Sequence, residues 1–464
     1  MNVAITIPQI DTYLDSFSEF QKSAPSHELA WLRKLREDAF ARFCEVGFPT
    51  THDEDWRFTN VSAIAKTPFK LAAPAAHQVG KADLALFALP DAACQLVFID
   101  GYFAPELSQV GTLPEGLEIT SLAKALEANP AAIEAHLGKY LDIQRDPFSA
   151  LNTAFAQDGG FVHVKKGVVL EQPIHLLFVS TAGDVPLMSH PRNLIVAEAE
   201  SQVSVVEDYV SLKGGVAFSN TATEIVAGGS AVVSHYMIER EHTDAFNIST
   251  LRVQQGRSAN VSTHSILLGG GLVRNNVHPV LNGEGANCLI NGLFLGDGKQ
   301  HLDNYMLVEH AQPHCESHQF YNGILDGKSH GVFHGRIIVH KDAQKTDAKQ
   351  TNRNLLLTDD AQIDTKPQLE IYADDVKCTH GATIGQIEEN ALFYLRSRGI
   401  DERSARKLLL MAFANECLDR MKEESVRNHI EGLINIHLFA MANVKRAAEL
   451  GSGEDKGRNW EEVG

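Results

Sequence analysis

The sequence predicts a mainly β protein, a β-solenoid core set between an N-terminal and a C-terminal α-helical domain. From about residue 160 the helical spacing of apolar residues stops. Short Val/Ile/Leu-rich runs, such as Asn193-Leu-Ile-Val-Ala-Glu and Gly335-Arg-Ile-Ile-Val-His, then alternate with small or polar turns. The turns themselves repeat, as Ser201-Gln202-Val203, Ser230-Ala231-Val232, Ser258-Ala259-Asn260, Gly285-Ala286-Asn287 and Asp342-Ala343-Gln344. Their central residues are 29, 28, 27 and 57 positions apart, so one turn is skipped near His314. A period in the high twenties with strand-like content marks a solenoid, whose coils bury their apolar faces only against one another. Asp360-Ala361-Gln362 repeats the turn 18 residues on, which predicts a shortened period at the end.

Before the core, Glu28 to Val46 spaces Leu32, Leu35, Ala39 and Phe43 as an amphipathic helix, ended by Gly47 and Pro49. Asp53 to Asn60 packs acids around Trp56, and reads either as a surface turn anchored by the indole or as a functional segment. After the core, a helix from Glu388 to Ser397 stops before Gly399, and Asp401 is an N-cap for the next. Apolar stripes at Leu408, Met411, Ala412, Leu418 and Met421, then Ile430, Leu433, Ile434 and Leu438, are helical. The expected domains are therefore 1–90, helical; 91–385, the core, with regular coils from about 160; 386–448, helical; and 449–464, a polar tail expected to be disordered.

The formal net charge of -18 argues against a nucleic-acid binder, which would carry a basic face, and disfavours anionic lipid. No apolar run reaches 18 residues, and Met1 to Ile10 has no basic region followed by an apolar stretch. The six cysteines form no C-x-x-C pair, which fits a reducing compartment. A soluble cytoplasmic protein is expected.

Chemistry concentrates at Asp374 to Gly385. Cys378 and His380 are two apart, so in a strand both face one side. A thiol and an imidazole there suit iron or zinc, or a nucleophile with its base. Two ligands are too few for a closed metal site. A buried cysteine beside a solvent-facing histidine is the alternative, and the residues alone leave it open.

Other segments carry less. Gly323 to Ser329 resembles a phosphate loop, but three residues separate its glycines where the motif needs four, and a turn and strand follow instead of a helix. ATP binding by this chain is excluded on that ground. Histidines crowd residues 301 to 340, and in a strand His314, Glu316 and His318 would share a face, an arrangement that could make a metal cluster. Stacked outer polar residues of successive coils are the competing account of that crowding. No G-x-S-x-G or H-E-x-x-H is present. The acid pairs Asp359-Asp360 and Asp374-Asp375 would point to opposite faces of a strand, which weakens a glycosidase or lyase reading.

The stretch from Gly323 through Lys345-Thr346-Asp347, and Asn354 through Gly385, resembles the SufB/SufD family of iron–sulfur cluster assembly proteins. So do Phe393 to Ile400, Asp55-Trp-Arg-Phe-Thr59 and Asn193 to Tyr209. The Cys-Thr-His-Gly form resembles the SufD branch, since SufB-like chains usually carry Glu where this chain has Gly381.

The resemblance implies a right-handed parallel β-helix and a non-catalytic scaffold subunit. It implies a SufB-like partner joined through the core, and a SufC-like ABC ATPase docked on helices from about 401 to 445. His380 would face a partner cysteine where the nascent cluster forms, with Cys378 beside it. Iron or a cluster would pass through that interface transiently, with no cofactor held stably by this chain alone. A reduced flavin is implied for the complex, with no residue here to place it. A homodimer is allowed when the partner is missing. The rival within the family is a SufB-type cluster scaffold; from another class, a β-solenoid polysaccharide lyase or hydrolase.

Overall fold

The structure, a computed structural model, describes residues 10–23, 28–73 and 79–451; the tail expected to be disordered lies outside them from 452 onward. The core is a parallel β-solenoid of about eight coils. Successive strands alternate between two sheets. The first runs through Gly160–Val164, Arg192–Ala197, Ala217–Ala227, Phe246–Gln255, Leu272–Leu281, His301–His310, His330–Val339 and Gln362–Ile371. The second runs through Ile174–Ser180, Gln202–Ser211, Val232–Arg240, Asn260–Leu267, Asn287–Gly296, Glu316–Leu325, Asp347–Leu356 and Lys377–Gly385.

The repeated tripeptides follow a row of turns whose backbone is left-handed. Positive φ occurs at Glu200, Ser230, Ser258, Gly285, His314 and Lys345, at steps of 30, 28, 27, 29 and 31. That conformation is costly for most residues, and here hydrogen bonding offsets it. Each of these N–H groups donates to a carbonyl of the next coil: Gly229, Arg257, Glu284, Pro313, Gln344 and Asp375, at 2.7–3.2 Å. The skipped turn near His314 is present as expected. The shortened last period is not. Each coil has two turns, and Asp360-Ala361-Gln362 belongs to the second row, which also holds left-handed Gly298 and Gly327. Gly323 to Ser329 enters that row as a plain turn, with Lys328 3.5 Å from Asp360.

The three largest apolar clusters among the described residues hold the layers. Alternate strand residues fill the lumen, from Cys94, Leu96 and Phe98 to Phe333, Ile337 and Ala348. The outer face of the first sheet is covered by N-terminal elements. Phe17, Phe40 and Phe43, from Asp11–Ser23 and Ala30–Val46, pack with Trp56, Phe148 and Phe155 against Phe218 and Ile248. The outer face of the second sheet receives the C-terminal helices Glu402–Leu418 and Glu424–Gly451, whose Leu410, Phe413, Cys417, Ile430 and Ile434 meet Tyr236, Ile266, Leu293 and Phe320. Asn291 and Asn322 reach out of that sheet and donate to the backbone carbonyls of Cys417 and Phe413, at 2.9 and 2.8 Å. No helix among the described residues is long and apolar enough to cross a membrane.

One buried ion pair ties the helix Pro147–Phe155 and the segment before it to the first sheet. Arg192 donates to Glu224 at 2.6 Å and to Asn152 and Thr153 at 3.1 Å. Glu224 also accepts from the N–H groups of Gly138 and Tyr140. Removing one member of such a pair leaves a buried charge uncompensated. Arg192→Met is therefore expected to cost about 3 kcal/mol in urea denaturation; a loss under about 1 kcal/mol would mean the pair contributes little.

Candidate functional site

The strand Lys377–Gly385 closes the second sheet, and among the described residues it pairs on one side only, with Asp347–Leu356. Register sets Cys378 against Ala348 and His380 against Gln350. Ala348 and Gln350 face the lumen and are buried, so Cys378 and His380 share the lumen face, as their spacing predicts. Cys378 is half-buried and packs on the lumen core, while His380 is exposed. Burial, and secondarily the Asp347 carboxylate, raise the Cys378 thiol above its ordinary range. In this chain alone it is a protonated thiol, which must lose its proton to ligate a metal. Among the described residues no group of three or more His, Cys, Asp or Glu could hold a metal ion.

Among the described residues, the end of the solenoid around this pair is uncovered. In the preceding second-sheet strands the lumen residues Ser317, Gln319, Tyr321, Gln350 and Asn352 are almost fully enclosed. On the last strand Ile384, which continues that face, is 53% exposed, and Tyr372 just before the final turn is 62% exposed. The opposite end is closed: Leu117–Ser121 lies antiparallel on Gly160–Val164, and Cys94–Ile99 pairs with Ile174–Ser180 and carries two short antiparallel strands on its other edge.

His301, His330, His334 and His340 make polar contacts across coils. His301 sits 2.9 Å from the Thr59 hydroxyl and edge-on to His330, which meets Asp364 at 2.8 Å. His334 pairs with Gln368, and His340 with Glu309. His310 points into the lumen against the Ser317 hydroxyl at 2.7 Å. The expected shared face of His314, Glu316 and His318 is corrected: His314 occupies a left-handed turn before the strand begins at Glu316.

The acid-rich tryptophan segment resolves toward anchoring. Trp56 is buried, and the Arg274 guanidinium lies 3.8 Å over its ring and 4.8 Å from the centre of the Tyr305 ring. Asp303 binds Arg274 at 2.5 Å and accepts from Thr59 at 2.6 Å. Beyond these, the exposed apolar side chains Leu408, Ile436 and Phe439 stand on the last two helices, with Arg403 and Lys407 over the Phe439 ring. Sequence reasoning missed Arg192, Glu224 and Gln350. Only the pairing of strands thirty residues apart brings their partners together.

Fold and site together define a β-solenoid assembly protein, closed at one end and carrying a thiol–imidazole pair on its open coil. Residues 178–413 match the family described as SUF system FeS cluster assembly, SufBD core domain, and residues 8–176 match the SufBD protein N-terminal region. The chain belongs to the SufBD family of iron–sulfur cluster assembly proteins. It is 34% identical to an iron–sulfur cluster assembly SufBD family protein of Synechocystis sp., over 92% of this chain and 95% of the relative. It is 32% identical to the iron–sulfur cluster assembly protein SufD of Escherichia coli, over 83% and 88%, and 26% identical to SufD of Bacillus subtilis, over 91% and 96%.

Burial holds the His301 and His310 rings neutral, with pKa values pushed down to about 4. The unfolded chain protonates near pH 6.5, so it binds more protons than the folded chain between these values. Their contribution is present above pH 6.5 and lost as pH falls toward 4. His310→Asn is expected to shrink the stability lost between pH 7 and 4.5, measured by urea midpoints, by on the order of 2 kcal/mol. An equal pH dependence in the variant would contradict this.

Proposed function

We propose that this chain is a non-catalytic scaffold subunit of a cytoplasmic iron–sulfur assembly complex. A SufB-like partner covers its open coil, and a SufC-like ABC ATPase docks on its C-terminal helices. The observation that carries the reading is the uncovered last coil. A strand with one free edge and exposed lumen residues is a template for another chain, and here that edge bears Cys378 and His380. A half-site with too few ligands becomes complete when a partner brings the rest. Iron and the nascent cluster are then cargo at the interface, with His380 as ligand or as the group that orients a partner thiolate, and Cys378 as its neighbour. The exposed Leu408, Ile436 and Phe439, rimmed by Arg403 and Lys407, offer an apolar patch of the kind that marks protein contact, and the SufD relatives support the assignment to cluster assembly.

The test is His380→Ala in the reconstituted three-protein complex. Assembly is expected to survive, since an exposed side chain contributes little to the core, while cluster yield falls about tenfold. Normal cluster yield on an intact mutant complex would overturn the role of His380. Failure of the parent chain to copurify with any ATPase would overturn the complex.

A further inference from the structure

His380 heads a column of polar side chains. Register places it against Gln350, and Gln350 against Gln319, on three adjoining strands of the second sheet. Adjacent strands lie about 4.8 Å apart and paired residues project to one face, so the column lines the lumen directly under the open coil. Both glutamines are buried. Gln350 Nε2 donates to Gln319 Oε1 at 2.8 Å, which fixes the Gln350 amide and turns its oxygen away from Gln319. Gln350 Oε1 is buried without a hydrogen-bond partner, and Gln319 Nε2 is left likewise at the other end of the pair. On the facing sheet, a Cβ at Gly335 would overlap Gln350 Nε2; the glycine makes the room this amide occupies. A buried carbonyl oxygen with no donor is unfavourable, and the residue one rung above it is an imidazole, whose ring N–H is the donor it lacks.

We propose that Gln350 is a positioning residue for His380. Its Oε1 accepts the imidazole N–H, which selects one tautomer and turns the other ring nitrogen, with its lone pair, toward the open end of the solenoid. A metal-ligating histidine needs that arrangement: one nitrogen bare for the metal, the other tied to an acceptor behind it. Gln319 holds the Gln350 amide in the orientation that presents oxygen, and Gly335 leaves the space for it. The inference rests on the reading of His380 as an iron-facing half-site, but its geometric content stands apart from that reading.

The test uses the full-length chain with 15N-labelled histidine, at a pH where the rings are neutral. The His380 signals are identified by their loss in His380→Ala. The parent is expected to show one tautomer, with well-separated ring nitrogen resonances. Gln350→Met, which removes the acceptor, is expected to collapse that separation toward a tautomer average, and Gln350→Glu, which keeps an acceptor oxygen, to preserve it. In the complex, Gln350→Met should lower cluster yield about tenfold with assembly intact. Ring resonances that are already averaged in the parent, or unchanged in Gln350→Met, overturn the proposal whatever the cluster yield. If Gln350→Met does not fold, the parent and Gln350→Glu spectra decide it. Normal cluster yield in His380→Ala overturns the functional reading instead, and leaves the ring orientation to be judged by the spectra alone.

Discussion

In a parallel solenoid each coil is hydrogen-bonded only by the coil before it and the coil after it, so the first and last coils carry a debt of unpaired backbone and uncovered lumen. How this chain treats its two ends explains most of its architecture. At the N-terminal end the debt is met internally, by an antiparallel strand on one sheet, three further strands on the other, and helices packed around Phe161 and Leu194. At the C-terminal end the chain leaves the solenoid after Gly385 and sends its helices back along the outer face of the second sheet, where Phe413 and Cys417 accept from Asn322 and Asn291. Those helices cover a face and leave the end open.

The consequence for chemistry is direct. Cys378 and His380 occupy lumen positions that in any inner coil would be sealed, as Ser317 and Gln319 are. On the terminal coil the same positions meet solvent, or a partner. A half-buried thiol raised by burial and an exposed imidazole do not make a metal site by themselves. They make one surface of an interface, and the polar column behind His380 gives that surface a direction. The tryptophan segment and the Arg192–Glu224 pair serve the fold from the opposite side, by fixing the N-terminal helices on the first sheet.

The repeated turn tripeptides made the solenoid legible, because the backbone at each of those turns is left-handed and small or polar residues tolerate it best. The Cys378 and His380 spacing was legible for the same reason that strands alternate. Other features could not be read locally. Asp360-Ala361-Gln362 looks like the other turns, and only the strand count shows that it belongs to a second row. His314 lies two residues before a strand, in a left-handed turn, which a period-two pattern cannot detect. The column of Gln319, Gln350 and His380 joins residues 31 and 30 positions apart, and a one-residue slip in register would scatter it to opposite faces.

A partner covers the free edge of the last strand in the proposed complex. Hydrogen exchange of the amides in Lys377–Gly385 tests it most directly, measured on the chain alone and in complex with a SufB-like protein. Fast exchange is expected for the outward-pointing amides of that strand in the isolated chain and strong protection in the complex, with the strand Asn287–Gly296 protected in both. Exchange at Lys377–Gly385 that is the same with and without the partner, in a complex shown to have formed, would contradict it.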